Sequence, residues 1–184
     1  MNSLDLHLDD ELYFKVYSEG KIQEKLVQML SEHRSPMGVS AFVKRLEEVK
    51  SYPHVLQEWN NACPNLADAL AVYPFPYGSV RLLTGNPGLW YKISQQGLRD
   101  GVIELRGNSY ERLGGYHIPG IKRIHKKEEF KKEVFSYFGV SSEGREVCFP
   151  QRPFPYLTLL AFNNSAKVLG ASRLDDQGRL IAVR

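Results

Sequence analysis

Cysteine is scarce: the 184 residues hold 2, Cys63 and Cys148. Two thiols without an export leader suit a reducing compartment and exclude a disulfide framework. Long apolar runs are missing too, since no stretch of the chain approaches the roughly 20 residues that a membrane span needs. Met1 to Asp10 is acidic and has neither the basic start nor the apolar core of a signal peptide. A cytoplasmic protein with no membrane partner is therefore expected. Asn163-Asn164-Ser165 matches a glycosylation sequon but carries little weight without export. The 5 histidines are scattered, and neither Cys-x-x-Cys nor His-Glu-x-x-His occurs, so no metal site and no cofactor are expected. Gly78-Ser79-Val80-Arg81 and Gly85-Asn86-Pro87-Gly88 lack the Walker lysine and the Rossmann spacing, and read as turns. No catalytic motif stands above background.

The composition is that of an ordinary folded protein: 42% hydrophobic, 24% charged and 11% aromatic. One tetrapeptide recurs, at Pro74-Phe75-Pro76-Tyr77 and Pro153-Phe154-Pro155-Tyr156. Each copy holds the backbone extended, because proline fixes φ and disfavours helix in the residue before it. The first copy also divides the charge. Residues 1–72 carry 7 Lys+Arg against 11 Asp+Glu, a net −4, and residues 73–184 carry 17 against 10, a net +7. An acidic half thus precedes a basic one, within what is expected to be a single compact domain.

Periodicity suggests the elements. Residues 3–19 fit a strand pattern through Leu4, Leu6 and Leu8, and equally a helix through Leu4, Leu8 and Leu12. Ile22, Leu26, Val27, Met29 and Leu30 mark a helix over 21–33. Ser35-Pro36 reads as the start of a second helix reaching Lys50, with a cap followed by proline. A third helix is expected from about His54 toward Val72, interrupted at Pro64. Short strands follow at 79–83, 89–93, 101–106, 110–112 and 116–124. An amphipathic helix spans 126–138, with Phe130, Val134, Tyr137 and Phe138 on one face and Gly139 as its stop. Strands at 146–149, 156–162, 167–174 and 179–183 read as a meander. The fold class expected is α+β: an N-terminal helical layer on a mostly antiparallel, twisted sheet, with one further amphipathic helix.

Three residues are weak catalytic candidates. Cys63, ahead of Pro64, stands where a helix dipole stabilises a thiolate, although a small buried apolar residue is the plainer reading. Glu104 is an acid that a metal-assisted nuclease could use, or the polar face of a strand, and His117 is a base without a placed partner. Cys148, between Val147 and Phe149, reads as core.

The feature with most to say is distributed. Between Tyr73 and Lys132, basic residues alternate with aromatics. Basic groups neutralise phosphates and flat rings stack on unpaired bases. On that reading Arg81, Arg106, Arg112, Lys122, Arg123, Lys126 and Lys127 meet phosphates, while Trp90, Tyr91 and Tyr116 stack. The plainer reading of Lys126–Lys132 is a solvated helix with Glu128 and Lys132 paired. The helices at 21–33 and 36–50 invite comparison with a helix-turn-helix, but their faces are acidic where a recognition helix is basic. The function expected is therefore nucleic-acid binding or processing. Two alternatives stand beside it. One is an enzyme acting on a nucleotide or small anion. The other is a non-catalytic module docking a protein partner through its acidic helices or through Phe75 and Phe154.

Overall fold

The computed structural model describes residues 3–7, 13–17, 20–62, 64–73, 79–83, 116–118, 127–149, 154–163, 166–173 and 176–183. The chain opens with a hairpin. β1 (Ser3–His7) pairs antiparallel with β2 (Tyr13–Tyr17), Leu4 opposite Val16 and Leu6 opposite Phe14. Of the two periods legible here, alternation is the one realised.

Helix α1 (Ile22–Ser31) starts where the Glu24 carboxylate accepts the Lys21 amide hydrogen. It ends through His33, whose φ of 55° turns the chain away while Arg34 N–H reaches the Met29 carbonyl. Ser35–Pro36 does not begin a helix as its spelling suggests. It forms the short strand β3, and helix α2 (Val39–Val49) begins three residues after Pro36. The reason lies far away in sequence. The carboxylate of Asp68, 2% exposed, accepts the Val39 amide hydrogen at 2.6 Å and caps the helix from outside. A strand also separates α1 from α2, so the pair is not a helix-turn-helix.

Helix α3 (Pro53–Ala62) stops short of the range expected for it. Asn65–Tyr73 is the long strand β4, because Leu66 and its neighbours pair with strands on both sides. β5 (Ser79–Leu83) pairs with β4, and β6 (Tyr116–Ile118) pairs with β5. The strands expected at 89–93, 101–106 and 110–112 fall outside the described residues, as does the first Pro-Phe-Pro-Tyr.

Helix α4 (Lys127–Tyr137) matches its sequence pattern, except that Phe135 is fully buried and Tyr137 is not. Gly139, with φ +66°, lets Val140 N–H close on the Phe135 carbonyl. There follow β7 (Glu146–Val147), β8 (Phe154–Asn163), β9 (Val168–Arg173) and β10 (Leu180–Val183).

The protein is α+β, and its sheet is mixed rather than mostly antiparallel. The order runs β1-β2-β10-β4-β8-β9-β7, with β3, β5 and β6 as branches. β10 runs parallel to β4, and β7 parallel to β9. The last segment is accordingly no simple meander: β8 and β9 form a hairpin, but β10 leaves it and inserts between β2 and β4. Parallel neighbours need long crossovers, which periodicity within one strand does not reveal.

The core lies between one face of this sheet and α2, α3 and α4. Phe42 stacks on Trp59 at 4.9 Å and on Phe162 at 5.6 Å between ring centroids, joining two helices to β8. Phe130 of α4 meets Phe149 edge-on at 5.9 Å. Leu66, Leu160, Leu169 and Ile181 supply the strand side. No helix among the described residues is long and apolar enough to cross a membrane.

Candidate functional site

Strand alternation sends the neighbours of those core residues to the opposite face. There Asn65 of β4 registers with Ala161 of β8, and Ala161 with Gly170 of β9. Cys148 follows β7, its amide hydrogen on the Leu169 carbonyl, and a Cβ on Gly170 would lie 3.6 Å from the Cys148 oxygen. Asn65, Ala161, Gly170 and Cys148 thus form a row across the sheet, about 14 Å long at ~4.8 Å per strand. The middle of the row is one methyl group and one hydrogen. Above it opens a groove of about 540 Å³. Asn61, Arg179 and Asn163 line it toward the start of β4, Ser172 lies on the other side of the row, two residues along β9 from Gly170, and Gln177 and Gly178 complete the lining.

Cys148 is exposed in this groove, contrary to the expectation that it is core. Its buried or half-buried neighbours Val147 and Phe149 are what turn it outward.

Asn65 is held firmly. Its main-chain N–H donates to the Arg179 carbonyl at 2.7 Å, and its Nδ2 donates to the same oxygen at 3.2 Å. It is only 4% exposed, yet Oδ1 accepts no hydrogen bond among the described residues. Gly178 makes this packing feasible: a Cβ there would sit 2.1 Å from Asn65 Nδ2 and 2.8 Å from Ile22 Cγ1. The buried Lys25 of α1 donates to the Gly178 carbonyl from behind. Arg179 donates through Nη1 to the Asn61 carbonyl at 2.9 Å, with no carboxylate partner among the described residues. The described lining contains no carboxylate and no imidazole. It offers an acceptor, a guanidinium, several amides, a hydroxyl and a thiol. That set can hydrogen-bond a polar group, and no carboxylate–imidazole pair stands among the described lining residues.

The residues singled out in the sequence sit elsewhere. Arg81 lies in β5, Tyr116 and His117 in β6, and Lys127 opens α4, exposed. The ladder makes Arg81 the partner of His117, and Leu82 the partner of Tyr116. Leu82 is fully buried in the core. Cys63, Trp90, Tyr91, Glu104, Arg106, Arg112, Lys122, Arg123 and Lys126 lie outside the described residues, as does Phe75. Phe154 begins β8 in register with Val72. Lys131 is engaged by Glu128 at 3.0 Å and Glu146 at 3.5 Å, so the helix pair forms at i,i+3 in place of the expected Glu128–Lys132. Glu128, aided by Glu146 and opposed by burial, raises the Lys131 pKa above its ordinary 10.5.

A second polar cluster ties the hairpin to α1. Glu32 accepts Lys15 Nζ at 2.7 Å, Tyr17 Oη at 2.5 Å and Gln28 Nε2 at 2.9 Å. The Lys15 bond first, and the Tyr17 bond next, lower the Glu32 pKa from 4.5 to about 2. Among the described residues no three His, Cys, Asp or Glu side chains gather as metal ligands.

Comparison with protein-family models, curated proteins and solved structures finds no match to this chain. Function has to be argued from its residues. Sequence reading missed the groove, although one signal was present: Asn65 is an amide at the head of the segment Leu66–Val72, which is apolar but for Asp68.

Proposed function

We propose that this protein binds or processes nucleic acid in the cytoplasm, through the basic, aromatic stretch of residues 73–132. The carrying observation is the β5–β6 ladder. It makes Arg81 and His117 direct partners, although they are distant in sequence, and both lie within the stretch where cations and rings alternate. Lys127 stays exposed and adds to that supply of charge. Lys131 does not, because two carboxylates already hold it.

Labelled single- and double-stranded DNA and RNA, titrated by fluorescence anisotropy at low and moderate salt, test the reading. Affinity should fall steeply with salt, each neutralised phosphate contributing a slope of about −0.7 on single strands and −0.9 on B-DNA. The Lys122→Ala/Arg123→Ala variant should flatten that slope by one to two contacts. Absence of binding even at low salt overturns the proposal.

A further inference from the structure

We propose that the groove over Asn65 is a binding site for a small hydroxylated anion, a sugar phosphate or a hydroxycarboxylate. Asn65 Oδ1 is a buried acceptor with no partner among the described residues. Buried side-chain oxygens are rarely left so. A carboxamide oxygen accepts and cannot donate, so the missing partner brings an O–H or N–H. Arg179 supplies the second requirement. Its guanidinium is fixed by the Asn61 carbonyl and has no carboxylate among the described residues, so an anion is its natural partner. The absence of acidic side chains from the described lining argues against a cation. The Ala161–Gly170 floor lets a compact ligand lie against the backbone, and about 540 Å³ is the size of a small-molecule site. Ser172 and Gln177 stand ready for further hydroxyls. None of these residues belongs to the stretch assigned to nucleic acid, so the two proposals stand or fall separately.

The test is an amide NMR titration of the whole chain with ribose 5-phosphate and, separately, with tartrate. Ribose alone and inorganic phosphate alone serve as half-ligands. Saturable shifts at Gly170, Ser172 and Gly178 with either hydroxylated anion support the site, and the arm that binds tighter identifies the source. Each half-ligand should bind about tenfold more weakly, or worse. Asn65→Leu and Arg179→Gln should each weaken binding by about tenfold. Asn65→Leu also gives up the Nδ2 bond to the Arg179 carbonyl, so its Tm should fall and its affinity is read well below that Tm. A purely structural Asn65 would lower Tm and leave the affinity of the folded protein unchanged. Should that variant fail to fold, Arg179→Gln, on the surface, carries the test alone. The proposal is overturned if neither anion shifts those amides at about 10 mM, ten times a 1 mM Kd. It is equally overturned if ribose binds as tightly as its phosphate, or if Arg179→Gln leaves affinity intact.

Discussion

Glu32 receives three donors from two elements: Lys15 and Tyr17 on β2 and Gln28 on α1. Because its folded pKa of about 2 is below the ordinary 4.5, its ionised form favours folding. That contribution is complete above pH 4.5 and is lost as pH falls toward 2. Urea midpoints measured from pH 6 to pH 2 should drop across this window in the wild type. In Glu32→Gln this part of the acid limb should be absent, and an identical limb in both proteins would refute the assignment. Gly178 makes a different single-residue prediction. A methyl group would collide with Asn65 Nδ2 and with Ile22, inside packing that has little room to yield. Gly178→Ala should cost about 1–3 kcal/mol, the usual penalty of overpacking, read from chemical denaturation. A neutral effect would mean that the turn moves freely.

At the level of the element, α2 is the instructive helix. Its N-terminal residue Gly38 has no side chain to cap with, and Asp68 reaches in from β4 to do it. Asp68→Ala should cost about 1–3 kcal/mol, through the lost cap and the buried amide left without an acceptor. Hydrogen exchange should then quicken first at Val39 and its neighbours. Unchanged exchange there would show that the cap is dispensable. The same helix marks where sequence reading ends. Ser35-Pro36 spells a local start, and the local spelling loses to strand pairing with β10 and to a carboxylate about thirty residues away. β4 escapes local reading for a related reason. Leu66 and Leu70 are spaced like a helix face, and only pairing with β8 on one side and with β10 and β5 on the other makes the segment a strand. α1 and α4, by contrast, carry their apolar stripes and their stops within their own spans, and both were legible.

For the whole molecule, what could be read was the class and most of the pieces; what could not was the order in which they join. The groove shares that fate. Asn65, Ala161, Gly170 and Cys148 become neighbours only through the register of several strands, and Asn65 lies more than eighty residues from the other three. β10 is the piece on which the assembly turns. Val16 pairs with Ile181, and the Ile181 carbonyl also accepts the Met37 amide hydrogen. Ile181→Pro removes a donor from the middle of the sheet and bars the conformation that both sides require. It should cost about 3 kcal/mol or more and broaden or abolish the cooperative unfolding transition. A sharp transition near the wild-type midpoint would mean that β10 is peripheral.

The place of β10 between β2 and β4 also has a consequence during synthesis. Roughly 100 residues separate the end of β4 from the start of β10, about 5–20 s of translation. For that interval the flanks of β2 and β4 that β10 will join wait without it, open to any passing strand. A nascent chain of this protein should therefore be a chaperone client until its final strand arrives, and slowing translation over residues 74–179 should increase the fraction that aggregates.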